Sequence, residues 1–236
     1  MNPTRTWTIT ETNLRDLVRR RGVLVLLFLV PLVFYAGRRG DHTGQSVRFL
    51  LLGLAFTIST AALFASCALR SLEPRLRLSG YRAAELSIGR LGALLAVGLL
   101  VCVPYLGVVA VDLHPDRLSA IAAAMVLTVA VAAPLGMLLG AVVPRELEGA
   151  LLLMALVGAQ MITDPGASAA KALPFWSARE LATYAVDHTG ADYLRRGLLH
   201  GAGCAVVLFT AASLCTAARL RARRGTSPGR AGHARA

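Results

Sequence analysis

The sequence lacks the motifs by which many enzymes bind nucleotides or metals. It has no phosphate-binding Gly-x-x-x-x-Gly-Lys-Ser/Thr motif, and Lys171, its single lysine, follows no such glycines. It has no His-Glu-x-x-His motif, and its four cysteines include no closely spaced pair. Because each of these chemistries requires its residues at a fixed spacing, we expect no ATP hydrolysis, no metal site and no cofactor in this chain. We assign no catalytic residue.

Charged residues are also scarce. They make up 16% of the 236 residues, whereas 56% are hydrophobic and the mean hydropathy is +0.60. A soluble domain is about one quarter charged. Here apolar stretches that are almost free of charge alternate with short arginine-rich segments, which is typical of a helical membrane protein. Because a helix satisfies its own backbone hydrogen bonds in lipid, we predict an all-α integral membrane bundle.

Six apolar segments are candidates for crossing the bilayer, which takes roughly 17–25 residues each. The first and fifth are short, and the whole set defines a transmembrane domain over residues 22–218. The predicted spans are Gly22 to Ala36, Phe49 to Leu69, Leu91 to Val111, Leu118 to Val143, Leu147 to Ile162 and Leu198 to Ala218.

Residues 1–21 have the pattern of an amphipathic helix. Thr8 and Glu11 have the spacing of a capping box, which predicts a helix start at Thr8. We predict a cytoplasmic helix that lies at the membrane surface and leads into the first span. Its apolar face and the basic residues beside it are Leu14, Leu17 and Val18, with Arg15 and Arg19.

The arginines predict the orientation. They are more frequent in the segments that would be cytoplasmic if both termini are inside, although the pair Arg195-Arg196 is an exception. Residues 219–236 form a basic tail with no apolar period, which predicts a disordered cytoplasmic tail. Basic residues that flank apolar spans contact anionic lipid headgroups, so we expect membrane lipids and not nucleic acid as partners of these residues.

Residues 70–90 form the longest predicted cytoplasmic loop. In it, Ser79-Gly80-Tyr81-Arg82 precedes a run of good helix formers that leads into the third span. A glycine followed by such a run predicts a break and then a rigid helix from Arg82 onward. An ordinary solvated hairpin would have similar spacing.

Residues 163–197 form a long predicted outer segment before the last span. Ser177 and Glu180 have the spacing of a second capping box, and an apolar face follows them. This pattern predicts a short helix at the outer surface that anchors the loop. We assign Trp176, Leu181 and Tyr184 to this helix.

These features together resemble one family of transport proteins. The order Arg-x-x-Glu, a basic and apolar stretch, and then Ser-Gly-Tyr-Arg-x-x-Glu-Leu-x-x-Gly-Arg before a span is similar to the loop after the second span of ABC exporter permeases of the ABC-2 membrane type. The amphipathic first helix, the proline in the first span (Pro31), six spans, a long outer segment and a basic tail resemble the same family.

The resemblance implies a division of labour. A permease of this kind sits in the plasma membrane, pairs with a second permease subunit as a homodimer or heterodimer, and is driven by a separate ATP-binding subunit that holds ATP and magnesium. The resemblance also implies that the amphipathic helix, here Leu14, Arg15, Leu17, Val18 and Arg19, is an interface helix, and that the short outer helix with Trp176, Leu181 and Tyr184 is a re-entrant or gate element instead of an anchor. It implies that the coupling contact with the ATP-binding subunit is made by Glu73, Arg75, Arg77, Gly80, Tyr81 and Arg82.

The spans contain few charges, which favours an amphiphilic substrate, either lipid-like or drug-like. The polar residues of the second span that could line its path are Thr57, Ser59, Thr60 and Ser66. Two other functions fit parts of the sequence. One is a rhomboid-like intramembrane serine protease that uses Ser168 with His200, and the other is a membrane anchor that transports nothing.

Overall fold

The computed structural model describes residues 3–19, 21–40, 43–70, 72–164, 166–187 and 189–225, and these residues are helical with short connections. Within them lie nine α-helices and one short 3-10 helix, Ser168–Ala172. The α-helices are α1 (Pro3–Arg19), α2 (Arg21–Ala36), α3 (Thr43–Leu69), α4 (Glu73–Leu78), α5 (Ala83–Leu113), α6 (Leu118–Val142), α7 (Glu146–Ile162), α8 (Trp176–Val186) and α9 (Ala191–Gly225).

The long helices confirm an all-helical membrane bundle. Four stretches are both long and apolar enough to cross a bilayer: Gly44–Leu69, Ala83–Leu113, Leu118–Val142 and Ala191–Arg221. Of the other two predicted spans, α2 is a shorter apolar helix of 16 residues and α7 has 17 residues. The count of six spans therefore stays a prediction.

The centre of the bundle is the contact between α3 and α6. Gly136 on α6 faces α3 so closely that an added Cβ would lie 2.1 Å from the Ser59 carbonyl oxygen. The Ser59 hydroxyl donates a hydrogen bond to the Ala132 carbonyl oxygen at 3.0 Å. Small residues and a buried hydroxyl thus hold two spans together, as is common where no hydrophobic driving force exists between helices in lipid.

Two predicted helix starts are wrong. Thr8 lies inside α1, which begins at Pro3, and its hydroxyl donates to the Thr4 carbonyl oxygen at 3.0 Å instead of capping the helix. Ser177 lies inside α8, which begins at Trp176. The spacing of a capping box is short and therefore also occurs by chance within helices.

The predicted boundary of the disordered tail at residue 219 also needs correction. Helix α9 continues through Arg219 to Gly225, and of the predicted tail only residues 226–236 lie outside the described part of the chain. Arginine and alanine favour helix, and the Arg219 guanidinium is held by a carboxylate of another helix, Glu73. For both reasons, α9 continues beyond its apolar residues.

Candidate coupling site

The loop between α3 and α5 contains a short helix and a hinge. Helix α4 spans Glu73–Leu78, and Gly80 follows it with φ of 88°, a conformation that side chains with a Cβ rarely adopt. Arg82 is extended and precedes α5, and its backbone N–H donates to Glu85 Oε2 at 3.0 Å. The predicted glycine break and the continuous helix after Arg82 are therefore confirmed.

Glu73 fixes α4 to two spans at once. Its carboxylate is 1% exposed and accepts a hydrogen bond from Arg90 Nη2 on α5 at 2.6 Å. Its other oxygen pairs with the guanidinium of Arg219 on α9. Because a buried charge is tolerated only when it is paired, this triad forces α4, α5 and α9 to stay together.

The opposite face of α4 is exposed. On α4 itself, Leu78 is 88% exposed and Arg75 is also exposed. Leu72, just before α4, is 45% exposed, and Arg82, after Gly80, is exposed as well. Apolar side chains that project beside arginines are the composition found at the core of protein interfaces. Of the predicted coupling residues, Glu73 therefore contacts the bundle, whereas Arg75 and Arg82 are exposed at its surface.

Helix α1 lies against the beginning of α5, next to this loop. An added Cβ on Gly89 would lie 2.6 Å from Ile9 Cγ2, so glycine is what allows the two helices to approach. Leu17 is buried in the core, and Val18 is 47% exposed. Arg15 pairs with Glu11 at 2.6 Å on the exposed side. The amphipathic character predicted for α1 is confirmed.

The C-terminal end of α6 is tied to the same region. Arg70, which follows α3, donates from Nε to the Gly140 carbonyl oxygen at 3.0 Å and from Nη1 to the Pro144 carbonyl oxygen at 2.9 Å. The last carbonyls of a helix have no partner within it, and a guanidinium satisfies several of them at once. The end of α3 is thus locked to α6 just before α4 begins.

Comparison with known proteins gives the family of this helical bundle. The sequence profile of the ABC-2 type transporter matches residues 8–181, which is more than half of the chain. The chain belongs to the ABC-2 type transporter family. No curated protein sequence matches it.

Membership in this family assigns transport and ATP hydrolysis to different chains. The ABC-2 membrane domain is a permease that does not hydrolyse ATP itself, and permeases of this family pair with a separate ATP-binding subunit. The chain is therefore a multi-pass transport permease and not an enzyme. Family membership therefore excludes the rhomboid-like protease that was considered as an alternative.

The geometry around Ser168 agrees with the absence of protease chemistry. Ser168 is exposed and begins the 3-10 helix, while His200 Nε2 lies 2.8 Å from the backbone oxygen of Lys171. A serine nucleophile needs the imidazole within hydrogen-bond reach. In this ABC-2 permease the imidazole is held by backbone instead.

The four polar residues of α3 that were predicted to line a substrate path differ in exposure: three are buried and one is partly exposed. Ser59 and Ser66 are 0% and 2% exposed and face α6, where an added Cβ on Gly140 would lie 2.5 Å from Ser66 Cβ. Thr57 donates to the Gly53 carbonyl oxygen at 2.6 Å and is also buried. Thr60 is partly exposed and donates to the Phe56 carbonyl oxygen. Of the set, Thr60 alone has a partly exposed side chain.

Helix α8 lies at the end of the bundle opposite α4, where it packs against α3, α6 and α9. Leu181 is 0% exposed and Trp176 is 6% exposed. The Arg117 guanidinium lies 4.3 Å from the ring centroid of Tyr184 and donates to the Tyr184 carbonyl oxygen at 2.8 Å. The predicted helix therefore exists, and its apolar face is buried by protein.

Sequence reasoning missed Arg90, Arg219 and Leu78. An arginine near the start of an apolar span is costly unless it has an acidic partner, so Arg90 should have suggested a search for one. Glu73, only 17 residues away, is that partner. No sequence signal pointed to Arg219, because it is 146 residues from Glu73.

Proposed function

We propose that this ABC-2 permease is the six-span membrane half of an ATP-driven exporter, and that α4 with the Gly80 hinge is its coupling contact with the ATP-binding subunit. The observation that carries the proposal is the two-sided nature of α4. One side is anchored to two spans by Glu73, and the other projects Leu78 and arginines outward.

This arrangement suits the transmission of motion. A contact that differs between two nucleotide states of the partner shifts the equilibrium of the permease only if the motion reaches the spans. A displacement of α4 pulls on Arg90 of α5 and Arg219 of α9 through one carboxylate. We propose that Arg75, Arg77, Tyr81 and Arg82 contribute to the contact on the outer side of α4. On this proposal Leu14, Arg15, Leu17, Val18 and Arg19 belong to an interface helix beside it.

The orientation, the assembly and the substrate belong to the same proposal. The arginine distribution supports cytoplasmic termini in the plasma membrane, so that α4 faces the cytoplasm and α8 the outside. A translocation path of this kind needs a second permease subunit, identical or homologous. Spans poor in charge support an amphiphilic, lipid-like or drug-like substrate, with Thr60 as a polar contact on α3 and the α8 residues Trp176, Leu181 and Tyr184 near the outer gate.

The test uses the full chain purified together with its ATP-binding subunit and reconstituted in liposomes. Leu78→Ser should reduce co-purification of the ATP-binding subunit and its transport-linked ATP hydrolysis, because full burial of a leucine side chain is worth roughly 1.5–3 kcal/mol. The matched control is Ile162→Ser, since Ile162 is 87% exposed but lies at the other end of the bundle. Equal retention of the subunit and equal ATP hydrolysis in both variants would contradict the coupling assignment.

A further inference from the structure

Two adjoining cavities lie at the α8 end of the bundle, opposite the coupling site. The first, the polar cavity, has a volume of about 430 Å³ and lies between α3, the segment before α8, α8 itself and the start of α9. The second, the apolar cavity, has a volume of about 250 Å³ and lies between α3, the end of α7 and α8. Arg48 and Arg179 line both, so the two cavities share a wall of guanidinium groups.

The polar cavity has an excess of positive charge. Arg48, Lys171, Arg179 and Arg196 line it together with only two carboxylates, those of Glu180 and Asp187. Asp187 pairs with Arg48 at 2.5 Å, whereas Arg196 Nε is 3.7 Å from Glu180 Oε2, beyond hydrogen-bond distance. No ion pair within the described residues engages Lys171 or Arg179. Burial, and then the nearby Arg48, lower the pKa of Arg179, while Glu180, Asp164 and Asp187 oppose the shift.

Buried polar atoms in the same cavity lack partners. Trp176 is 6% exposed and Glu180 is 8% exposed, yet Trp176 Nε1 and Glu180 Oε2 have no hydrogen-bond partner among the described residues. Arg48 Nε also has no hydrogen-bond partner among the described residues. More than nine in ten buried polar groups in native proteins are satisfied by protein or ordered water, so these three unpaired atoms are available to a ligand that enters the cavity.

The unpartnered groups favour an anionic ligand. The indole and guanidinium nitrogens are donors only, as is the Lys171 ammonium. Burial raises the pKa of Glu180, although Arg196, Arg179, Lys171 and His200 nearby oppose the shift. Glu180 Oε2 is the one acceptor among the unpaired atoms, and even with Glu180 ionised the cavity has four cations and two carboxylates. An oxyanion with several acceptor oxygens, such as a phosphate or a carboxylate, would satisfy these donors and neutralise the excess cations.

The apolar cavity indicates that the ligand also has an apolar portion. Its wall contains Phe49, Leu52, Met161 and Phe175 beside the shared arginines. Gln160 Oε1 is buried there without a partner in the described residues, which provides one acceptor for a hydroxyl or amide. A molecule with an anionic group in the polar cavity can therefore place an apolar portion in contact with these side chains.

We propose that the two cavities form a binding site for an anionic amphiphile, in which Lys171, Arg179, Arg48 and Trp176 bind a phosphate or carboxylate group and the apolar cavity receives the adjoining hydrocarbon. Only the role of this site in transport rests on the proposed export of amphiphiles; the binding of the ligand does not. Its test is equilibrium binding without the ATP-binding subunit, so its failure and the failure of the coupling proposal are distinguishable.

The experiment uses the fluorescence of Trp176 as a reporter within the site. The chain has two tryptophans, and Trp7 is 69% exposed, so Trp7→Phe leaves Trp176 as the single emitter. The full chain in dodecyl maltoside micelles is titrated with decyl phosphate, with decanol and with inorganic phosphate. We expect a saturable change with decyl phosphate, at a concentration lower by about tenfold or more than for either of the other two ligands.

Three variants test the residues. Arg179→Gln and Lys171→Gln should each weaken decyl phosphate binding about tenfold, the value of one hydrogen bond between charged groups. Arg195→Gln is the matched control, because Arg195 is exposed next to Arg196 but does not line the cavity. Lys171 is exposed, so its substitution keeps the test valid even if the Arg179 variant fails to fold.

Several results would overturn the proposal. Equal affinity for inorganic phosphate and decyl phosphate would mean a simple anion site, and equal affinity for decanol and decyl phosphate would mean a merely apolar cavity. The absence of a saturable response, or equal weakening by Arg195→Gln and Lys171→Gln, would show that the cavities do not form a specific site for an anionic amphiphile.

Discussion

Glu73 is the residue on which the coupling site depends most. It is a carboxylate in a predicted coupling helix, and from the sequence it would be assigned to the surface that meets the partner. In the structure it is 1% exposed and pairs with Arg90 and Arg219. A buried charge with two partners contributes little net stability compared with apolar residues, but removing one member leaves the others buried and unpaired.

We therefore predict that Glu73→Gln lowers the free energy of unfolding by about 3 kcal/mol, because two arginines lose their counter-charge. The measurement is reversible unfolding in mixed micelles, followed by circular dichroism. Glu148→Gln is the control, because Glu148 is 44% exposed in its ion pair with Arg145 and such a pair is worth less than about 1 kcal/mol. Equal unfolding free energies for the two variants would mean that the triad does not hold the helices together.

At the scale of elements, the important feature is that α4, Gly80 and α5 follow one another directly, which supports the proposal that they act together as a lever. Helix α5 spans Ala83–Leu113, with Pro104 in its second half, so the end of the candidate coupling loop and an apolar stretch long enough to cross a bilayer belong to one helix. Gly89 lets α1 pack directly on its first turns. A rigid helix transmits a displacement along its length, whereas a loop would absorb it.

A proline scan along the start of α5 tests this lever. Ile88→Pro should uncouple ATP hydrolysis from transport, since proline inside a helix removes a hydrogen bond and clashes with the preceding turn at a cost of about 3 kcal/mol. Ala83→Pro should leave coupling intact, because Ala83 is the first residue of α5 and the preceding Arg82 is already extended. The measurement is transport per ATP hydrolysed in liposomes. If Ile88→Pro and Ala83→Pro give the same ratio, the helix is not a lever.

At the scale of the whole molecule, the two candidate sites lie at opposite ends of α3. The coupling site follows Leu69, and the proposed amphiphile site includes Arg48 near the start of the same helix. A helix of this length is about 40 Å long, which exceeds the hydrocarbon thickness of a bilayer. The two sites are therefore on opposite sides of a membrane that this helix spans.

The orientation predicts which site faces the cytoplasm. In a cysteine-free background, a cysteine at Ser79 should be protected from a membrane-impermeant thiol reagent in intact cells, whereas one at Ser168 should react. Both residues are exposed, unlike Ser177, which is 1% exposed and would report burial instead of topology. Labelling of Ser79→Cys only after permeabilisation is the expected result. Labelling of Ser79→Cys in intact cells would reverse the orientation.

The amino-acid sequence by itself determined the class of the protein and the position of the glycine break before α5. Hydropathy and charge distribution are properties of consecutive residues, so they predicted a helical membrane protein. The glycine before a run of good helix formers is equally local, and it predicted the break at Gly80. The same local character explains why the spacing of Thr8 and Glu11, and that of Ser177 and Glu180, gave false helix starts.

Only the tertiary structure decided which charged and polar groups meet. Arg219 reaches Glu73 across 146 residues, and Arg48 reaches Asp187 across 139. It also showed that Ser59 and Ser66 pack against α6. Such pairings depend on how the helices are arranged around one another, and helix arrangement follows from small residues at many contacts at once. No pattern of neighbouring residues encodes them, because the cost of an unpaired buried charge is imposed only after the helices have assembled.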